Sequence, residues 1–96
     1  MNRWKIYCNL DLSLKPDALK DLEKIADVNY FSPSQESLLE NISNYDAYIA
    51  SGAVLMNKEV LDRAKKLKVI ASPSTGTDHI DVNYAENKNI QVIHFA

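Results

Sequence analysis

Ninety-six residues suffice for one domain and no second core, burying roughly 60–65% of the unfolded surface. The chain is 46% hydrophobic and 25% charged with a formal net charge of −2, and it has no basic stripe to neutralise nucleic-acid phosphates. No apolar run is long enough to span a membrane, the chain reaches Asp11 without a signal-peptide apolar region, and the single Cys8 allows neither an internal disulfide nor a cysteine metal cluster. These features point to a cytoplasmic protein with no nucleic-acid and no membrane partner. Cys8 reads as a small buried hydrophobe rather than a reactive thiol, because Lys5 is the only cation near it.

Trp4-Lys5-Ile6-Tyr7-Cys8 reads as a first strand, followed by a loop from Asn9 to Lys15. Pro16 suits the first position of a helix whose apolar stripe is Ala18, Leu19, Leu22, Ile25 and Ala26. Asp27 to Phe31 follows as a short, polar edge strand. Ser32 and Gln35 predict a capping box, with Pro33 opening a second helix that buries Leu38, Leu39 and Ile42 and ends at Asn44. Ala47 to Ala50 is a third strand, and Ser51-Gly52-Ala53 is the loop at its carboxyl end. Asn57 is a suitable N-cap for a third helix, with Val60, Leu61, Ala64 and Leu67 facing the core. The basic trio Lys65, Lys66 and Lys68 suits the negative end of that helix dipole, which explains it sufficiently.

Val69-Ile70-Ala71 predicts a fourth, buried strand running into Ser72-Pro73-Ser74-Thr75-Gly76-Thr77. Asp81 is placed to cap a short helix from Val82 to Asn87, and Asn89 to stop it in the left-handed conformation. Ile90 to Phe95 completes five strands. Strands alternating with helices predict an α/β fold with a parallel sheet, flavodoxin-like in the order 2-1-3-4-5. The short apolar runs of the last three strands suit a sheet covered on both faces. Ligands of such sheets sit beyond the carboxyl ends of the strands, and both glycines of the chain, Gly52 and Gly76, fall in loops there.

Around Gly76 the backbone N–H groups of Thr75 and Gly76 could hold a carboxylate or a phosphate, although spacing alone leans towards a tight turn that needs glycine and no ligand. His79 and His94 read as structural residues rather than catalytic bases, and Asp78 and Asp81 as loop and capping residues rather than an acid–base pair. No Gly-x-Gly-x-x-Gly and no P-loop occurs in these residues. The third strand runs into Ala50-Ser51-Gly52, so a phosphorylation receiver, which needs an aspartate there, is excluded.

Leu67-Lys68-Val69-Ile70, Gly76-x-Asp78-x-Ile80-Asp81 and Ile90-x-Val92 resemble the D-isomer-specific 2-hydroxyacid dehydrogenases, with Asp46-Ala47-Tyr48-Ile49 and Glu59-Val60-Leu61 adding a looser match. The resemblance implies residues 1–96 to be a substrate-binding (catalytic) domain, without the NAD-binding Rossmann domain of the parent enzyme. It implies that Ser74, Thr75 and Gly76 meet a substrate carboxylate and that Ser51, Gly52 and Ala53 select its side chain. The family's catalytic Arg, Glu and His and its glycine-rich cofactor loop lie past the position matching Ala96. The chain alone is therefore expected to hold no catalytic residue, to bind no cofactor and to be inactive. The parent enzyme would use NAD or NADP on a small 2-hydroxy or 2-oxo carboxylate; partners would be that acid and the cofactor domain, with a homo-oligomer open. The alternative is a free-standing flavodoxin-like binding or interaction module without catalysis.

Overall fold

The computed structural model describes residues 3–51, 54–72 and 79–94. Five strands, β1 (Trp4–Cys8), β2 (Ala26–Tyr30), β3 (Ala47–Ile49), β4 (Val69–Ser72) and β5 (Gln91–His94), alternate with helices α1 (Pro16–Glu23), α2 (Gln35–Asn41), α3 (Lys58–Arg63) and α4 (Val82–Asn87). They form one sheet in the order β2-β1-β3-β4-β5, and every pairing is parallel. The expected topology is the one observed.

Local chemistry accounts for most element ends. Asn57 caps α3, its Oδ1 accepting the Val60 N–H, and Asp81 caps α4 by accepting the Tyr84 N–H. The end of α4 is a Schellman motif: Ile90 N–H reaches Ala85 O, Asn89 N–H reaches Glu86 O, and Asn89 has φ 65°. Three expectations are corrected. The loop before α1 contains a 3₁₀ turn at Leu12–Leu14, capped by the Asp11 carboxylate. The capping box at Ser32 does not form; Ser34 is the N-cap of α2 and accepts the Ser37 N–H. Gln35 instead exchanges two hydrogen bonds of 2.8 Å with the backbone of Leu55, as a neighbouring strand residue would.

The third correction concerns α1, which stops at Glu23, so that Ile25 is 64% exposed and Ala26 opens β2 as a buried residue. Arg3 supplies the reason. Its guanidinium donates to the carbonyls of Glu23, Lys24 and Ala26, satisfying carbonyls at the end of the helix from the neighbouring strand. None of the residues of α1 is fully buried; Leu22 alone of its stripe packs, partly buried, onto the small core of Ile6, Cys8 and Ala26.

The other face of the sheet carries the main core. Tyr7, Tyr48 and Ile70 point into it and meet Leu38 of α2, Val60 and Leu61 of α3 and Ala85 of α4. Phe31 stacks on Tyr7 at 4.1 Å between centroids, and Tyr45 and Tyr48 meet Tyr7 edge-on. Coverage on the α1 side is incomplete. Strand alternation turns Val69, Ala71 and Ile93 to that side, where Val69 and Ala71 stay half-buried and Ile93 is 40% exposed. A single two-turn helix cannot span five strands spaced about 4.8 Å apart, so at β4 and β5 the expected two-sided cover is realised on one face only.

The αL conformation at residue 89 gives a direct test. Asn89→Ala is expected to lower unfolding free energy by about 1 kcal/mol, whereas Asn89→Gly is neutral or stabilising. Urea denaturation midpoints for the two variants check the sign of each change.

Candidate functional site at the carboxyl edge of the sheet

Hydrogen bonds carry the ladder one residue beyond the strands at their carboxyl ends. Phe31 N–H donates to Cys8 O at 2.8 Å, Asn9 N–H to Ile49 O at 3.0 Å, and Ala50 N–H to Ala71 O at 2.8 Å. Ile49 pairs with Ala71 in register, so the chain leaves β3 at Ser51 and β4 at Ser72 from neighbouring positions. Of the site residues expected from sequence, Ser51 is half-buried at this edge; Gly52, Ala53, Ser74, Thr75 and Gly76 lie outside the described residues, as does Asp78.

A buried polar chain anchors the Ser51 side. Asn9 is 4% exposed; its Nδ2 donates to Phe31 O at 2.8 Å, and its Oδ1 accepts the Tyr48 hydroxyl at 2.5 Å. The Ser51 backbone lies near enough to the Tyr48 hydroxyl to oppose the upward shift that burial causes. Val54 N–H returns to Ser51 O at 3.4 Å. Burial pushes the Tyr48 hydroxyl well above the ordinary tyrosine range, so it stays protonated and donates to Asn9. Sequence reading missed both residues, although a tyrosine at the centre of a buried strand needs a partner for its hydroxyl. Asn9, directly after β1, was the signal.

The Ser72 side is fastened through residues 54–57. Ser72 is fully buried, and His79 Nε2 lies 3.4 Å from its Oγ. Met56 N–H donates to His79 O at 2.7 Å and Asp81 N–H to Met56 O at 2.9 Å, a parallel bridge between Met56 and Ile80. His79 and Asp81 are thus held as loop and capping residues. Beside them Leu55, Met56, Asn57 and Ile80 line a cavity of about 350 Å³. At the β1–β2 end, Cys8 is buried, its Sγ donating to Leu10 O at 3.1 Å, and burial raises the thiol pKa. It is the inert hydrophobe expected. Among the described residues no group of three or more His, Cys, Asp or Glu is arranged to hold a metal, and no helix is long and apolar enough to cross a membrane.

The family model of the D-isomer specific 2-hydroxyacid dehydrogenase catalytic domain matches residues 8–96. The chain belongs to that family. It is 35% identical over 82 residues to D-3-phosphoglycerate dehydrogenase of Methanocaldococcus jannaschii, covering 84% of this chain and 16% of that one. It is 44% identical over 62 residues to glyoxylate reductase of Thermofilum pendens, covering 65% of this chain and 18% of that one. The crystal structure of the PH0520 protein of Pyrococcus horikoshii OT3 superposes with a TM-score of 0.90 at 36% identity, over 99% of this chain and 28% of its own. The NAD+-bound 3-phosphoglycerate dehydrogenase of Entamoeba histolytica shares the fold, with a TM-score of 0.84 at 21% identity over 97% of this chain and 33% of its own. The chain therefore spans less than a fifth of the two sequence relatives and is an α/β, flavodoxin-like member of a 2-hydroxyacid dehydrogenase family.

Tyr48→Phe removes the hydroxyl that donates to Asn9, and it leaves the buried Asn9 oxygen unpaired. The expected cost is about 1–3 kcal/mol in unfolding free energy, measured by urea denaturation. Burial also raises the pKa values of Tyr7 and Tyr45. In each case the folded chain holds a proton that the unfolded chain releases near the ordinary value of 10.0. The tyrosine contribution to stability is thus whole below that pH and declines as pH rises above it. Thermal melts stepped from neutral to alkaline pH should show that decline, shallower in the Tyr48→Phe protein.

Proposed function

We propose that the chain is the substrate-binding part of an NAD(P)-dependent oxidoreductase that interconverts D-2-hydroxy acids and 2-oxo acids. Backbone N–H groups of Thr75 and Gly76 receive the substrate carboxylate, with Ser74 beside them, and Ser51, Gly52 and Ala53 form the facing wall. The observation that supports this most is the pairing of Ile49 with Ala71, which starts the two loops from adjacent strand ends where sheets of this type bind ligands. Glycine at position 76 leaves no Cβ between the backbone and a carboxylate.

The nicotinamide cofactor does not fit these residues. The first strand-to-helix connection, where a dinucleotide pyrophosphate would meet free N–H groups, carries Asp11. Its carboxylate already takes the Ser13 N–H and hydroxyl, and these hydrogen bonds hold its pKa below the usual value. A phosphate there would face a fixed negative charge. The cofactor, and the groups that take up the hydroxyl proton, are therefore assigned to a separate cofactor domain of the same enzyme, and the 96 residues alone are incompetent for hydride transfer.

Two measurements test the reading. Titrating glyoxylate into the isotope-labelled chain should move the amide signals of Thr75 and Gly76 ahead of all others, and Gly76→Val should abolish the shifts; unmoved amides at 75 and 76 refute the carboxylate role. Pure 96-residue protein given NADH and a panel of 2-oxo acids should show no turnover, and measurable oxidation of NADH would refute the division of labour.

A further inference from the structure

The trio Lys65, Lys66 and Lys68 has a sufficient local explanation as cations at a helix end, but the fold adds to it from elsewhere. At the amino ends of the strands, opposite the edge just described, Arg3 and Lys5 of the first segment, Lys65, Lys66 and Lys68, and Lys88 after α4 line one cavity of about 650 Å³. These are six of the eleven Lys and Arg residues in a chain of net charge −2. Asn44 and Asn89 add amides to the lining, and Asp46 is its one carboxylate among the described residues.

Internal pairing does not absorb this charge. Arg3 is committed to Asp27 at 2.8 Å and to the end of α1, Lys88 reaches Asp62 at 3.2 Å, and Lys68 reaches Asp46 at 3.6 Å. Lys68 and Lys88 also lie over the Trp4 and Tyr84 rings. Lys5, Lys65 and Lys66 form no ion pair among the described residues, although Lys65 is near enough to Asp62 to favour its ionised form. Three carboxylates against six cations leave three positive charges. The carbonyl ends of α2, α3 and α4, at about half a charge each, offset between one and two of them. The remainder is held together against mutual repulsion.

We propose that this concavity binds a small, multiply charged phosphate anion, with Lys5, Lys65 and Lys66 as its uncommitted ammonium groups and Asn44 and Asn89 as amide donors. The cavity lies in the size range of small-molecule sites, about 300–1,000 Å³, and its lining is polar where a hydrophobic ligand would need apolar walls. Ammonium groups on flexible stems suit phosphate as point charges. An acidic protein segment would call for a longer and flatter basic track. The site is separate from the carboxyl edge and does not depend on the reading of that edge.

Calorimetric titration of the 96-residue chain with inorganic tripolyphosphate tests this, at low and at physiological ionic strength. One site is expected, weakened by salt, and weakened about tenfold or more by the pair Lys65→Ala and Lys66→Ala. Removing the same charge from α1 and its cap, by Lys15→Ala and Lys20→Ala, should change affinity by less than roughly twofold. Circular dichroism establishes that both double variants are folded. A nucleoside triphosphate arm distinguishes sources: equal affinity assigns recognition to the phosphates alone, and tighter binding assigns part of it to the nucleoside. The proposal is overturned if the two double variants weaken binding equally, if orthophosphate binds as well as tripolyphosphate, or if a hexaglutamate peptide binds more tightly than either.

Discussion

The hydroxyl of Tyr48 is the contact on which the carboxyl edge of this domain depends. Its ring belongs to the main core, against Tyr7, while its oxygen, on β3, donates to Asn9 after β1. Asn9 extends the chain of contacts to Phe31 after β2. Three consecutive strands are thereby referred to one buried point beside the carboxyl edge. In such an arrangement a polar group is tolerated in the interior because each of its hydrogen bonds is used.

The two faces of the sheet tell a different story about stability. Helices α2, α3 and α4 pack on one face, whereas α1 contributes no fully buried residue to the other. Short chains are marginal because they bury a smaller share of their surface than large ones do, and an open apolar strip at Val69, Ala71 and Ile93 removes part of that share. The relatives are several times longer than this chain, and parallel sheets are ordinarily covered on both faces.

What the sequence made legible was whatever its local pattern determines. The strand order followed from the alternation of elements, and the caps at Asn57 and Asp81 and the left-handed Asn89 followed from side-chain chemistry within a few residues. Failures came where a distant group decided a local question. The length of α1 is set by Arg3, some twenty residues upstream, whose guanidinium takes the carbonyls at the helix end. The capping box at Ser32 lost because Gln35 has a better use against Leu55, twenty residues downstream. In both cases the pattern was present and a tertiary hydrogen bond outweighed it.

Backbone dipoles separate the two ends of the sheet. In a parallel α/β layer the helices run opposite to the strands, so their N-termini, with a partial positive charge, gather at the carboxyl edge and their carbonyl ends at the amino edge. An acidic substrate is favoured at the first by backbone dipoles alone, without lysine. At the second edge the dipoles call for cations, and a few lysines there need no further cause. What calls for one is the excess. Lys5 and Lys88 are remote in sequence from Lys65 and Lys66 and reach the same cavity only through the sheet order β1-β3-β4-β5. Helix-end neutralisation acts within a turn of each helix, and Lys5 lies on a strand, so that mechanism cannot have placed it there. The convergence is a property of the fold, and it is at that level that a ligand would recognise it.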